Sequence, residues 1–146
     1  MKRVLDSVFF IPMVNTVRIK DNGIIKDATI RFKKGLNIIT GLNGSGKTTV
    51  INFLRYKFLP VDYLEASDSI MMQIDAILNG KTIVIDDVLG FLNREKMNEA
   101  LTKMVKSGRQ IIITLNISGL SVINGKIKAN IINTNAFKLK SPKKES

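Results

Sequence analysis

Gly41, Gly46, Lys47 and Thr48 stand at the spacing of a phosphate-binding loop within residues 38–51, Ile-Ile-Thr-Gly-Leu-Asn-Gly-Ser-Gly-Lys-Thr-Thr-Val-Ile. The chemistry such a loop performs is anion capture. Glycines at 41, 44 and 46 let the backbone curl so that its N–H groups converge on phosphate oxygens. Lys47 neutralises β- and γ-phosphate charge, and the Thr48 hydroxyl is an oxygen ligand for Mg²⁺. The loop-forming residues Gly41, Leu42, Asn43, Gly44, Ser45, Gly46, Lys47, Thr48 and Thr49 are therefore the candidate nucleotide-binding set. A second motif, the acidic pair Asp86-Asp87, closes the apolar run Thr82-Ile-Val-Ile. In the companion motif of phosphate loops the first Asp holds Mg²⁺ and the next carboxylate positions the attacking water. Asp86 joins Thr48 as a candidate metal ligand, and Lys47 and Asp87 are the candidate catalytic residues.

These residues need a strand entering the loop and a helix leaving it. Leu36 to Thr40 supplies the strand, and residues 47 to about 58 have the apolar period of a helix that stops before Pro60. The run before Asp86-Asp87 suits a parallel strand buried on both faces and ending at a ligand crevice. Upstream, residues 4–32 read as β-structure, with runs at 8–11, 14–20 and 28–32 and a tight turn at Asp21-Asn22-Gly23. Val61 to Ala66 reads as a short strand, and Ser67-Asp68 as the cap of a helix running through Leu78 with Ile70, Ile74, Ile77 and Leu78 on one face. Asn93 is expected to cap a helix to about Ser107 with Met97, Leu101, Met104 and Val105 inward, followed by a buried strand from Gln110 to Thr114 and one or two strands between Ile127 and Leu139. The fold class is α/β, a P-loop NTPase with a parallel core sheet flanked by helices and an N-terminal antiparallel hairpin region. Residues 1–140 are expected to form one domain and residues 141–146 a basic disordered tail.

Composition narrows the chemistry. The chain of 146 residues has 45% hydrophobic residues, enough for a packed core. Without Cys or His, thiolate and imidazole chemistry is excluded, which leaves carboxylates, Lys, hydroxyls and an oxygen-loving metal such as Mg²⁺. The net charge of +11 favours polyanionic partners, and nucleic acid is the leading one. The segment from Val4 to Val14 superficially resembles a secretion signal, but Asp6 and Pro12 interrupt it and no small-residue cleavage site follows. No membrane insertion and a cytoplasmic location are expected.

The order hairpin, Phe32-Lys-Lys-Gly-Leu-Asn-Ile-Ile-Thr-Gly-Leu-Asn-Gly-Ser-Gly-Lys-Thr-Thr49, helix and then Ile-Val-Ile-Asp-Asp87 resembles the ATPase heads of the ABC superfamily, with the SMC, RecF and double-strand-break-repair branch nearest in form. The resemblance runs from about Val17 to Leu139. It implies ATP and Mg²⁺ as ligands, Asp86 at the magnesium position and Asp87 where the family carries a catalytic Glu. It also places Gly90-Phe-Leu-Asn93 at the family's dimer loop, with Asn93 in place of Asp. Residues 50–85 are too few for the family's helical signature lobe. Leu64-Glu-Ala-Ser-Asp-Ser69 is the best remnant, with helix capping as the favoured role of Ser67. The switch histidine is replaced by Leu115. Family heads sandwich nucleotide between two copies, so an ATP-dependent homodimer, or a partner protein supplying the missing parts, is implied.

A shorter Asp87 sets its carboxylate back by about 1 Å, a displacement that costs about a hundredfold in rate. Slow ATP hydrolysis is the expectation, coupled to DNA or to a partner. Three alternatives stand beside it: a nucleotide-gated switch without useful turnover, a small-molecule kinase, disfavoured by the lack of an Arg-rich lid, and a basic DNA-binding protein with a vestigial loop. Arg94 and Arg109 are conceivable arginine fingers, with a solvated helix-end charge the favoured reading for each.

Overall fold

The computed structural model describes residues 13–57, 61–77, 81–89, 93–123 and 125–141. Its centre is a five-stranded sheet, all pairs parallel, built from β3 (Leu36–Gly41), β4 (Val61–Leu64), β5 (Thr82–Ile85), β6 (Ile111–Asn116) and β7 (Ala129–Asn133) in the order β4-β5-β6-β3-β7. A separate antiparallel sheet orders β1 (Thr16–Asn22), β2 (Ile25–Arg31) and the short β8 (Lys138–Leu139) as β1-β2-β8. Among the described residues three α-helices accompany them: α1 (Lys47–Lys57), α2 (Ile70–Ala76) and α3 (Arg94–Lys106).

Strand alternation explains the layering. In β3, β5 and β6, neighbouring side chains point to opposite faces, and both faces are apolar. Ile38, Ile83, Ile85, Ile111 and Ile113 join one core with Ile70 of α2 and Met97, Leu101 and Met104 of α3. Ile39, Val84 and Ile112 join the other with Val50, Ile51 and Leu54 of α1 and with Val17, Ile19, Ile25 and Ile30 of the hairpin. The hairpin is thus packed over the same face as the helix that leaves the phosphate loop. Asn93 Oδ1 accepts from Lys96 N at 2.8 Å and caps α3 as expected, and Gly108, at φ 77°, follows its C-terminal end.

Some expectations change. The second helix begins at Ile70, later than a cap at Ser67-Asp68 would start it. Ser69 occupies the cap without a side-chain bond to the helix backbone, and the Ser67 hydroxyl pairs with that of Ser69 and accepts from Gln73 Nε2 instead of capping. That helix ends at Ala76, so Ile77 lies beyond it, and Ile74 is only half-buried. Val105 points outward, 37% exposed, because position 104 already faces the sheet and its neighbour must turn away. β6 runs two residues past Thr114, and the segment after it is a 3₁₀ helix, Ile117–Val122. The expected strands between Ile127 and Leu139 are two: β7 pairs with the phosphate-loop strand, and β8 crosses to the hairpin. The expected run at 8–11, the end of the first helix at Phe58, Leu78, residues 90–92 of the dimer-loop assignment and the tail from 142 lie outside the described residues.

Candidate functional site

The carboxyl ends of β3, β5 and β6 meet at a cleft of about 300 Å³, lined by Asn43, Gly44, Gly46, Lys47, Thr48, Thr49, Asp86, Asp87, Thr114, Asn116 and, from the hairpin turn, Ile24. Of the nine residues nominated from sequence, Gly41 ends β3, Leu42 to Gly46 form the turn, and Lys47, Thr48 and Thr49 open α1. Gly44 and Gly46 adopt φ of 75° and 106°, the left-handed region that side chains resist. Gly41 is required for a different reason. A Cβ there would stand 1.8 Å from Thr134 Oγ1 and 2.8 Å from Ser45 Oγ. Those two hydroxyls lie 2.9 Å apart, and Ser45 Oγ donates to Leu42 O at 2.6 Å, so a run of side-chain bonds ties the loop to the residue after β7.

Lys47 Nζ folds back and donates to Gly41 O and Leu42 O, both at 2.8 Å. Burial pushes its pKa below the ordinary lysine value, while the Asp87 and Asp86 charges pull it back up. An incoming phosphate would meet a cation already directed into the loop and bound only to neutral carbonyls.

Across the cleft, Thr48 Oγ1 donates to Asp86 Oδ2 at 2.9 Å. This bond brings the two sequence motifs together. Asp86 is positioned from its other oxygen: Thr114 Oγ1 donates to Asp86 Oδ1 at 2.6 Å, and the same hydroxyl accepts from Asp87 N at 2.7 Å. Thr114 is itself 1% exposed, held in the centre of the sheet. Asp87 sits at φ 51°, a strained backbone for a residue with a side chain, and is exposed. Its carboxylate reaches the cleft while its N–H is clamped.

The hydroxyl of Thr48 and the carboxylate of Asp86 are hard oxygen donors in contact, which fits Mg²⁺. Among the described residues no group of three or more acidic, His or Cys side chains could hold a metal. Two protein ligands completed by phosphate oxygens and water is the arrangement Mg²⁺ commonly takes.

Three features of the site escape a reading of the sequence. Leu115, which the resemblance set in the place of the switch histidine, is fully buried in the core, and the residue that lines the cleft is Asn116, whose Nδ2 donates to Asn43 Oδ1 at 2.9 Å. Alternation along a strand that runs to 116 in place of 114 reveals it. By type and position Thr114 is no more than a strand end. Ile24 reaches the cleft through the hairpin's packing against Thr49, close to where a Cβ on Gly23 would collide at 2.9 Å, and no local signal marks that approach. Arg109 is removed from the arginine-finger candidates. It pairs with Asp62 and donates to Lys81 O, with side-chain exposures of 11% for Arg109 and 20% for Asp62.

A family model described as AAA domain matches residues 16–136. A solved structure from Pyrococcus furiosus, described as a putative ABC transporter (ATP-binding protein), superposes with a TM-score of 0.50 at 13% identity, covering 85% of this chain and 96% of that one. At that identity the likeness is one of fold alone, a P-loop NTPase fold, and it singles out no branch. No curated protein matches the sequence. Among the described residues, no helix is long and apolar enough to cross a membrane.

Proposed function

The chain belongs to the AAA domain family, and on that premise we propose that it is a minimal ABC-type ATPase domain that binds Mg·ATP and hydrolyses it slowly. The observation that carries this reading is the Thr48–Asp86 bond at 2.9 Å, which joins the phosphate loop to the acidic strand end. In this reading the N–H groups of Gly41 to Thr49 hold the phosphates and Lys47 exchanges its two carbonyl partners for phosphate oxygens. Thr48 and Asp86 hold Mg²⁺, which supplies charge neutralisation at the β- and γ-phosphates when bound. Asp87 positions the attacking water. Residues 1–140 act as one domain, with function shared with a second copy or a partner that covers the open side of the cleft.

Asp87 also supports a second reading. An exposed carboxylate one methylene shorter than Glu, on a strained backbone, suits a nucleotide-gated switch that binds without useful turnover.

Two measurements separate the readings. Calorimetric titration of ATP with and without Mg²⁺, on wild type and Lys47→Ala, is expected to show magnesium-dependent binding that the variant loses. Unchanged binding by Lys47→Ala removes the proposal. Phosphate release by Asp87→Glu is then expected to rise above wild type, and a variant as silent as a silent wild type puts the switch first. Light scattering with and without Mg·ATP reports whether nucleotide joins two copies.

A further inference from the structure

At the amino ends of β3 and β7, the opposite end of the sheet from the nucleotide cleft, lies an open groove of about 270 Å³ whose charged residues are all basic: Lys33, Lys34 and Lys128, beside Leu36, Asn130 and Ile131. Among the described residues, none of these three lysines pairs with a carboxylate. Among the described residues, ion pairs elsewhere engage Arg18, Lys96, Lys103 and Arg109.

The groove is rigidly built. Asn37, fully buried, accepts from Lys33 N and donates to Lys33 O, both at 2.8 Å, and its Nδ2 also lies 3.2 Å from Gly35 O and from Ile111 O. Asn130 Nδ2 closes the opposite wall, donating to Asn37 Oδ1 at 2.9 Å and to Arg31 O at 3.1 Å. Gln110, 3% exposed, adds a further bond from Nε2 to Lys33 O at 3.0 Å. Two buried amides thus fix the backbone of the Lys33-Lys34-Gly35 turn against the edge strand that follows Lys128. Flexible surface lysines lose entropy when they grip a ligand, and a fixed backbone lessens that loss.

We propose that this groove binds the sugar–phosphate backbone of nucleic acid, with Lys33, Lys34 and Lys128 each on a phosphate. The excess of +11 charges on the chain supplies the long-range attraction, and the three lysines of the fixed groove supply its place. Lysines act as point charges and the groove holds no aromatic side chain, so recognition is of phosphates and not of base sequence. This inference is independent of nucleotide binding at the other end of the sheet.

The test is fluorescence anisotropy of the full chain with a labelled single strand of about 20 nucleotides, long enough to span several phosphates, and the matching duplex, across a salt series. Lys33→Gln/Lys34→Gln/Lys128→Gln is compared with Lys20→Gln/Lys26→Gln/Lys138→Gln, which removes the same charge from the antiparallel sheet. The groove variant is expected to lower the log–log salt slope by about 2 on the single strand, at about 0.7 for each phosphate no longer neutralised, and by slightly more on the duplex. The control triple is expected to keep its slope within about half a unit. Both triples are expected to bind Mg·ATP as wild type does. Equal reductions in the two triples would assign any binding to net charge alone and overturn the groove. Failure of wild type to bind either nucleic acid, or binding of polyglutamate in its place, also overturns the proposal.

Discussion

Thr114→Val removes one hydroxyl and keeps the shape of a side chain that is 1% exposed. That hydroxyl makes two hydrogen bonds, one of 2.6 Å to Asp86 Oδ1 and one of 2.7 Å from Asp87 N. The first is a bond to a charged group, worth about 1.5–3 kcal/mol, and the second a neutral one worth about 1 kcal/mol. Asp87 is exposed, so water can replace the second bond in part. The expected loss of folding stability is about 2–3 kcal/mol, read from urea midpoints at constant slope. The effect on the site follows from geometry. With Oδ1 released, the Asp86 carboxylate can rotate away from Thr48, and removing a partner that orients a metal-binding carboxylate costs about 10- to 100-fold in metal affinity. The ratio of ATP affinities with and without Mg²⁺ is therefore expected to shrink at least tenfold in Thr114→Val, while magnesium-free binding, which rests on loop amides and Lys47, stays close to wild type. Thr114→Ser restores both bonds and most of the magnesium effect, though it gives up a buried methyl. If Thr114→Val keeps the wild-type magnesium ratio, or if Thr114→Ser loses it to the same degree, the hydroxyl does not position Asp86 and the reasoning fails.

Gly41→Ala places a Cβ 1.8 Å from Thr134 Oγ1, so the loop must shift, and ATP affinity is expected to fall more than tenfold by calorimetry, with partial recovery in Gly41→Ala/Thr134→Ala. Arg109→Met leaves the mostly buried Asp62 without its cation; a stability loss of about 2–3 kcal/mol is expected in chemical denaturation, below the fully buried range because both groups keep some solvent contact. Turnover per folded molecule is expected to stay at wild type, whereas an arginine finger would show as a fall in kcat. Asn37→Leu takes the acceptor from Lys33 N and Asn130 Nδ2 and one donor from Lys33 O, which keeps Gln110 Nε2, and about 2–3 kcal/mol of destabilisation is expected by the same assay. Lys47 titrates below its usual 10.5 chiefly because it is buried, so the unfolded chain holds more protons than the folded one between the folded value and 10.5. Its contribution to stability rises with pH across that window, and ATP affinity falls there as the loop loses its charge; a stability series in alkaline buffer checks the first against Lys47→Met, which is expected to lack that share of the rise.

What is legible in the sequence is what depends on neighbours along the chain. The loop from Gly41 to Thr49, the strand before it, the helix after it and the Asn93 cap all follow from local chemistry, and each stands where the residues place it. The Asp86-Asp87 pair is marked by the β-forming run Thr82-Ile-Val-Ile that ends there. Features set by packing across the fold are not legible. Whether Leu115 or Asn116 faces the cleft depends on where β6 stops, which its parallel pairing with β3 as far as Gly41–Asn116 decides. Thr134 touches Gly41 because β7 lies beside β3, and the return of β8 to the hairpin is equally non-local. Ser67 reads as a cap by type, yet Gln73 bonds to the Glu65 backbone N–H and carbonyl, at 3.0 Å each, and draws the serine hydroxyls into its own network.

The short connection between α1 and β5 links that topology to mechanism. Between α1 and β5 the described residues form β4 and α2, and both pack back onto the sheet: β4 pairs with β5, and Ile70 enters the core of α3. Among the described residues neither element covers Asp87, which is exposed. Water left around a charged site raises its effective dielectric and weakens every interaction inside it. Replacing Asp87 by Glu corrects reach but leaves that dielectric unchanged, whereas a second copy or partner seated over the cleft lowers it and leaves reach unchanged. Asp87→Glu in a monomer is therefore expected to recover only part of the rate, and the larger gain is expected where the same variant is measured at concentrations that bring two copies together. A gain that is full at high dilution would show that reach, and not solvent, limits this site.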